Sequence, residues 1–356
     1  MNERKFANDG IIVPDAEMTC QVKKIWELAF EDGEKFRSFF FEKLYSPEKS
    51  LAVQTGGEIL SILSVLSYGV SLWGQELAAG YVYGVATLPN FRGKGYMTRL
   101  LNEAIVSMKK KGYALTLIVP QNVTLFELYS RFGYAKSLKL PRRKYIKSEL
   151  ETEKKFECKI YEGDAELLFD LYKKSTNKFD RHVSKTAEIF SLDLMDHFLA
   201  GGRIFVVESL GKKEKTIEGF CLALMRDNEL CVTEIIVENS ESRDSLLCGA
   251  MEFFSEAECG VSGLCSDGGE SDIIGMARVL DPKPILEILT QNSSSLKGKT
   301  LRLSDEVIEE NNGIYRLEDN CEKLCGFSKN ADMELNILQL SQMISGDGIY
   351  CNLMFN

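Results

Sequence analysis

The sequence predicts an α/β (α+β) protein in which helices flank mixed sheets. Three observations support this class: apolar and β-branched runs lie between glycine turns, other segments carry apolar residues at helical spacing, and the two kinds of segment alternate along the chain. The chain has 356 residues, which exceeds one usual domain, so we expect two or three.

The first 150 residues predict the element order ααβββαβα. Residues 15–30 and 32–45 have apolar residues at helical spacing, which indicates two helices. Two strands around the Gly56-Gly57 turn follow, and a third runs through AAGYVYGVATL. A helix to about Lys111, the strand ALTLIVP and the helix VTLFELYSRFG complete this block.

A charged, weakly periodic segment marks a boundary near residues 140–156. A second block then repeats the layout of the first, with a helix, a strand, a hairpin and a helix at 164–179, 202–209, 216–238 and 245–257. A third block begins at IGMARVLD. We therefore predict three domains, at residues 1–150, 151–273 and 274–356.

Charge is divided unevenly along the chain. Residues 1–150 carry a net charge of +6, whereas the remainder carries −16. A basic first domain suits an anionic cofactor, and an acidic remainder suits a cationic substrate or only serves solubility. Nucleic acid is not expected as a partner, because the basic stretch at 136–147 lacks interleaved recognition aromatics.

No apolar run approaches the roughly 18 residues that a membrane helix needs, and the N-terminus is polar. We therefore expect a cytoplasmic protein without a membrane partner. The ten cysteines are scattered, several lie inside apolar runs, and no CxxC pair occurs. This pattern is typical of reduced core residues, and we expect no metal site.

The stretch FRGKGYM, residues 91–97, lies between a predicted strand and a predicted helix. A Walker-type loop would need a glycine where Leu88 stands, and a dinucleotide-binding turn would need one where Thr98 stands. The sequence therefore excludes both of these nucleotide-binding loops.

What remains is a glycine turn that opens a helix, whose first amides have no helical partner. Such a turn can cradle an anion. Gly93 and Gly95 leave space for a close ligand, and Arg92 and Lys94 add positive charge. The alternative is an ordinary helix entry on a strand–helix loop.

Combined with LYSRFGY about 32 residues further on, RGKGYM resembles the motif of the GNAT superfamily of acyl-CoA-dependent N-acyltransferases. That motif is Arg or Gln, two residues, Gly, one residue, and Gly or Ala. Arg92 and Gly95 fit it, and Met97 stands at its final position. The three-block plan with its GMARVLD segment resembles the enhanced-intracellular-survival family.

The resemblance implies two tandem GNAT-like domains, each with a splayed central sheet flanked by helices, and a third domain similar to a sterol carrier protein. NSESRDS stands in the second block where Arg-Gly-Lys-Gly stands in the first, so we expect that the second domain has lost the cradle.

The resemblance implies acetyl-CoA as the co-substrate. The backbone of Val85, Ala86 and Thr87 would pair with the pantetheine arm like an added strand. Asn122 would touch the cofactor, or only cap a helix. The pyrophosphate would lie on the amides of seven consecutive residues, Arg92, Gly93, Lys94, Gly95, Tyr96, Met97 and Thr98.

Tyr129 matches the family tyrosine that gives a proton to the departing CoA thiolate, although a core tyrosine packed beside Phe132 is the alternative. Tyr134 is expected to be structural. The C-terminal carboxylate, here on Asn356, is the implied base for the amine, unless the tail is frayed.

These features predict an N-acetyltransferase that acts on a primary amine of a cationic small molecule or peptide, such as a polyamine, an aminoglycoside-like sugar or a lysine side chain. The resemblance further implies a homo-oligomer, commonly a hexamer. The competing prediction is a non-catalytic module that binds acyl-CoA or lipid.

Overall fold

The structure, a computed structural model, describes residues 10–151, 156–209, 216–263, 270–324 and 330–355. Its helices are Thr19–Ala29 (α1), Glu34–Phe39 (α2), Tyr96–Lys110 (α3), Val123–Ser130 (α4), Ala165–Thr176 (α5), Ala187–Leu199 (α6), Ser240–Phe254 (α7), Pro282–Gln291 (α8) and Ile337–Ser345 (α9).

The strands fall at Gly10–Ile12 (β1), Ser50–Thr55 (β2), Glu58–Leu72 (β3), Gln75–Thr87 (β4), Leu115–Ile118 (β5), Ala135–Ile146 (β6), Phe156–Ile160 (β7), Arg181–Ser184 (β8), Arg203–Ser209 (β9), Ile217–Arg226 (β10), Glu229–Ile236 (β11), Glu258–Ser262 (β12), Glu270–Val279 (β13), Thr300–Ser304 (β14), Gly313–Arg316 (β15), Glu322–Leu324 (β16), Met333–Asn336 (β17) and Ile349–Tyr350 (β18).

The described residues form two compact units, each made of two chain segments. The first unit contains the residues up to Ser137 together with Gly275–Asp347, and the second contains Leu138–Ile274 together with the residues from Gly348 onward. The unit boundaries therefore pass through β6 and β13. The division into three domains at 150 and 273 stays a prediction.

In the first unit, β1, β2, β3 and β4 are antiparallel neighbours, and β4 pairs with β5 in parallel. Residues 276–279 of β13 pair antiparallel with β5. The predicted order ααβββαβα is present, with the short β1 added before it. Helices α3 and α4 supply much of the apolar core that packs on this sheet.

The β3–β4 hairpin turns at Trp73 and Gly74, which both have positive φ, at 47° and 79°. Two such residues in a two-residue loop match the right-handed twist of the flanking strands. Residues from Pro282 onward in this unit form α8, α9 and a small sheet in the order β16-β15-β14-β17. Helix α9 begins with a capping box of Asn336 and Gln339.

The second unit has a similar order, with α5 and α6 separated by the short β8, then the antiparallel strands β9, β10 and β11, helix α7 and strand β12. Its strands run in the order β6-β12-β11-β10-β9-β7, and β18 pairs with β6 and β8. Strand β6 and helix α6 were not predicted from the sequence. In the residues that the structure describes, no helix combines the length and the apolar character needed to cross a membrane.

Candidate active site

Strands β4 and β5 part at one end of their parallel pair. Their register ends at Val82 opposite Ile118, whereas β4 continues to Thr87. The carboxyl ends of both strands lie at this end of the sheet, because the strands are parallel. Helices α3 and α4, which follow the two strands, therefore begin at the same edge.

A bulge in β4 lies where the strands part. Ile62 pairs with Ala86 and Ser64 with Tyr83, so Leu63 of β3 faces two residues of β4. One of the two, Gly84, has a φ of 60°, and a Cβ added there would collide with the indole of Trp26. The local conformation and the close indole together require glycine at this position.

The last residues of β4 are fixed from the β3 side. The Ser61 hydroxyl donates to the Ala86 carbonyl at 2.9 Å and lies 2.8 Å from the hydroxyl of Thr87. The Leu88 amide donates to the Leu60 carbonyl at 2.9 Å. The backbone of residues 85–87 is thus held in an extended form beside the opening between the strands.

The glycine loop adopts the conformation that only glycine accepts readily. Gly93 and Gly95 have φ angles of 74° and 81°, and Gly95 is the N-cap of α3. A Cβ added at either glycine would meet no atom within 4 Å. Glycine is therefore favoured at both positions for two reasons: it leaves space for a ligand, and it accepts the left-handed backbone.

The first amides of α3 face the loop. Arg99 is the first residue whose amide binds a carbonyl of the helix start, that of Gly95 at 3.1 Å, so Tyr96, Met97 and Thr98 precede the hydrogen-bond ladder. Tyr96 and Met97 pack their side chains against the core, and Thr98 is exposed. The amides of these three residues therefore lie outside the hydrogen-bond ladder of α3 and, among the described residues, do not donate to a carbonyl of the helix.

The two cations of the loop are both held near it. Arg92 Nε donates to the Thr87 carbonyl at 3.2 Å, which ties the guanidinium to the end of β4. Lys94 Nζ lies 4.8 Å from the centroid of the Phe91 ring. Both side chains are exposed, so they supply positive charge beside the helix start while remaining in contact with water.

Asn122 occupies the corresponding place before α4. Its side-chain oxygen accepts a hydrogen bond from the Leu125 amide at 3.1 Å, so it caps the helix. The side chain is exposed at the edge where β4 and β5 part. The capping role is observed, and contact with a cofactor stays a prediction.

Tyr129 lies near the end of α4 and is 5% exposed. Burial raises the pKa of its phenol to about 12. Among the described residues, no group forms a hydrogen bond with Tyr129 Oη. The ring packs in the core while the hydroxyl stays protonated at neutral pH, so both predicted roles, core packing and proton donation, are compatible with its position.

Tyr134 differs from Tyr129 in that its hydroxyl is engaged. Its side chain is completely buried, and its hydroxyl lies 3.1 Å from Thr116 Oγ1, which in turn donates to the Gly80 carbonyl. Burial raises its pKa further than that of Tyr129. This arrangement agrees with the structural role predicted for Tyr134.

The helix that replaces α3 in the second unit begins very differently. Asn239 caps α7 through the Ser242 amide at 2.8 Å, and Ser242, Arg243 and Asp244 are buried. Asp244 accepts the Glu151 amide at 3.1 Å and pairs with Arg243 at 2.7 Å. The protein's own side chains thus fill this helix start, and the loss of the cradle in the second domain stays a prediction.

Asn356, the predicted carrier of the catalytic carboxylate, lies outside the described residues. The preceding residues are anchored in the second unit: Met354 and Phe355 are buried, Asn352 Nδ2 donates to the Thr233 carbonyl at 2.7 Å, and Lys185 Nζ donates to the Leu353 carbonyl. The chain is thus fixed up to Phe355.

Two residues that shape this region were not predicted. Gly84 stood in a strand pattern, where an isolated glycine indicates a bulge. Arg278 stood alone in the apolar run of IGMARVL, and a single charge in such a run indicates a buried, paired cation. Both signals were present in the sequence.

Comparison with known proteins gives a family for the first part of the chain. Residues 14–137 match the family described as acetyltransferase (GNAT) domain. The matched segment contains the opening between β4 and β5, the glycine loop, Asn122 and Tyr129. A search of curated protein sequences gives no match.

Solved structures resemble nearly the whole chain. A conserved protein of unknown function from Enterococcus faecalis V583, a probable N-acyltransferase, has a TM-score of 0.76 and 13% identity over 97% of this chain and 99% of that chain. A GCN5-related N-acetyltransferase from Anabaena variabilis ATCC 29413 gives 0.74 and 13% over 94% and 89%. Eis1 from Mycobacterium abscessus gives 0.72 and 12% over 95% and 89%.

At these identities the structural likeness establishes the fold, a mixed α/β fold shared with GNAT-type proteins. The family match and the geometry of the loop concern the same residues. Residues 14–137 are therefore an acetyltransferase domain of the GNAT type, and the chain that carries it is an enzyme, an N-acetyltransferase.

Proposed function

We propose that the protein transfers an acetyl group from acetyl-CoA to a primary amine of a cationic substrate. The observation that carries this proposal is the opening between β4 and β5, beside a helix start whose two glycines face open space. Acetyl-CoA carries groups that suit both features: an amide-bearing pantetheine arm for the strand and a pyrophosphate for the helix start.

In this proposal the backbone of Val85, Ala86 and Thr87 pairs with the pantetheine amides. The amides of residues 92–98 hold the pyrophosphate, and the side chains of Arg92 and Lys94 add attraction for it. Asn122 contacts the cofactor from the start of α4. The free amides of α3, the open space at the glycines and the tethered cations support these assignments.

The reaction is a direct attack by the neutral amine on the thioester carbonyl. The C–N bond forms, the C–S bond breaks, and the sulfur leaves with a proton from Tyr129 Oη as the thiol. The amine proton goes to a base. Tyr129 Oη carries its proton at neutral pH, since burial raises the pKa of the phenol rather than lowering it, and this protonated form supports the role of general acid.

We assign the base to the C-terminal carboxylate of Asn356. A lysine-like ammonium has a pKa near 10.4 and is mostly charged at neutral pH, so a base is needed before attack. The hydrogen bond of Asn352 and the burial of Met354 and Phe355, which hold the chain up to the residue before Asn356, support this assignment.

The net charge of −16 after residue 150 supports a cationic acceptor, such as a polyamine, an aminoglycoside-like sugar or a lysine side chain. We further propose a cytoplasmic enzyme with a sterol-carrier-like third domain, which acts as a homo-oligomer of hexameric type. The position of Eis1 among the structural neighbours supports this family assignment.

Thiol release from acetyl-CoA, measured against a panel of polyamines, aminoglycosides, amino acids and lysine peptides, tests the proposal. Amine-dependent release that Tyr129→Phe lowers by roughly 10² or more would support it. Tight binding of acetyl-CoA without release for any amine, in folded protein, would favour the non-catalytic acyl-CoA module.

A further inference from the structure

Arg278 on β13 is a completely buried cation in the first unit. Its guanidinium uses three of its nitrogens: Nε donates to the Phe132 carbonyl at 2.6 Å, Nη1 to the Val279 carbonyl at 2.8 Å, and Nη2 to Asp305 Oδ1 at 2.7 Å. A guanidinium in such a place is tolerated only with full pairing, so its geometry is tightly fixed.

The pairing continues outward from Asp305. The same carboxylate accepts the amides of Val307 and Ile308 at 2.9 and 3.1 Å and the side-chain amide of Asn311 at 2.9 Å. Asn311 Oδ1 accepts from Lys109 Nζ on α3, the helix that begins at the glycine loop. One buried polar network therefore joins α3 to Arg278.

The same network ends at the turn that follows Tyr129. The Phe132 amide donates to the Tyr129 carbonyl at 2.9 Å, while the Phe132 carbonyl accepts from Arg278. Gly133 has a φ of 83°, and a Cβ added there would lie 2.6 Å from Ile337 Cγ2 and 3.2 Å from Arg278 Nε. The turn is therefore held closely against β13 and α9.

The position of this turn matters for Tyr129 because no described residue binds its hydroxyl. Ring packing and the backbone of α4 and its turn then determine where Oη lies. A shift of the turn would move the hydroxyl without touching the glycine loop. Misplacement by about 1 Å can lower turnover by roughly 10².

We infer that Arg278 is a positioning residue for Tyr129, which fixes the phenol relative to α3 through the Phe132 peptide and the Asp305–Asn311–Lys109 network. This inference rests on the proposed role of Tyr129 as general acid. Residues 275–311 would then help to position the proposed general acid of the GNAT domain, although they lie far outside residues 14–137 in sequence.

A double-mutant cycle tests the inference with Arg278→Lys and Tyr129→Phe, each alone and combined. Lysine keeps the positive charge but lacks the planar guanidinium that donates hydrogen bonds to three oxygens. We expect Arg278→Lys to lower kcat roughly 10-fold to 10² with the KM for acetyl-CoA unchanged. Combined with Tyr129→Phe, it should cause no further loss, because the residue that it positions is already inactive.

A matched control is Arg243→Lys, which changes a buried arginine, ion-paired with Asp244, in the second unit. It should leave kcat unchanged while lowering thermal stability. Equal losses from Arg278→Lys with and without Tyr129→Phe would overturn the inference and leave the proposed mechanism intact. A Tyr129→Phe variant with normal kcat would overturn both.

If Arg278→Lys does not fold, Lys109→Met offers a milder change at the far end of the network. It removes the ammonium that binds Asn311 and keeps a helix-compatible straight chain. We expect a smaller fall in kcat, about two- to tenfold, that again disappears in the Tyr129→Phe background. A loss that persists there would contradict the inference.

Discussion

At the residue scale, a glycine with a positive φ lies at each end of helix α3. Gly95 begins α3 with a φ of 81°, and Gly112 follows its end with a φ of 85°. A Cβ at either position would meet no atom within 4 Å. The two glycines therefore have the same local requirement, but Gly95 lies at the N-terminus of α3, whose first three amides precede its hydrogen-bond ladder, and Gly112 lies beyond the C-terminus.

This pair allows a controlled test of the cradle. Asp is one of the few residues that tolerate the left-handed region, so Gly95→Asp and Gly112→Asp should each destabilise the fold by about 1 kcal/mol. Only Gly95→Asp should abolish acetyl-CoA binding by calorimetry, because it places a negative charge at the proposed pyrophosphate site. Unchanged affinity in that variant would exclude the cradle.

The phenol of Tyr129 gives a prediction about pH. A general acid must be protonated, and burial raises its pKa to about 12, above the ordinary value of 10.0. The ratio of wild-type kcat to Tyr129→Phe kcat should therefore stay constant between about pH 8 and about pH 10.5, and fall only as the pH approaches the raised pKa. A ratio that already declines near pH 10 would indicate an unshifted phenol.

At the scale of elements, the bulge in β4 lies directly after Val82, the last residue of β4 that pairs with β5. Gly84 allows the extra residue, and the indole of Trp26 lies directly against it. Trp26 is itself fixed by a 2.7 Å hydrogen bond from Nε1 to Asp32 and by a stacked contact with Phe40. The opening between the strands is thus supported by α1 and its neighbours.

Gly84→Ala should therefore lower stability and acetyl-CoA affinity together. The new methyl meets a rigid, buried indole, and alanine is strained at a φ of 60°, so we expect a loss of roughly 2 kcal/mol or more. Gly80→Ala is the control in the same strand, because its backbone is not left-handed and its Cβ meets the flexible thioether of Met108 most closely, with Val65 Cγ1 at 3.0 Å. Thermal melts and calorimetry that rank the two variants alike would argue against a special role for the bulge.

At the scale of the whole molecule, the first unit combines two distant segments of the chain. Met276, Leu280 and Ile308 belong to the same apolar core as α3 and α4. Residues 276–279 also cover the edge of β5. The acetyltransferase domain that the family match places at 14–137 therefore completes its core with residues from 275–347, which lie between the two segments of the second unit in sequence.

A fragment of residues 1–137 should accordingly fold poorly. Without residues 275–347 it exposes core positions and an unpaired strand edge, so we expect no cooperative thermal transition. Joining residues 275–347 to the fragment through a flexible linker should restore the transition. Cooperative melting of the short fragment alone would show that the first domain is self-sufficient, as the three-domain prediction requires.

Much of the first block could be predicted because its signals are local. Helical spacing, the Gly56-Gly57 turn and the loop at 91–97 each depend on neighbours within a few residues, and their elements appear as expected. Strand β6 was not predicted, because charged residues interrupt the alternation of apolar and polar residues that indicates a strand with one side facing water. The bulge at Gly84 depends on Trp26, a contact that no local pattern contains.

The sequence by itself determined the order of elements in the first block, the glycine loop and the acetyltransferase family of residues 14–137, because spacing and motif lie within short windows. Only the tertiary structure decided that the pairing of β4 with β5 ends at Val82, that Tyr129 is buried with no described residue bound to its hydroxyl, and that Arg278 contacts the turn beside it. These features arise from residues that are distant in sequence, 146 positions apart for Phe132 and Arg278, and their proximity depends on the packing of the whole first unit.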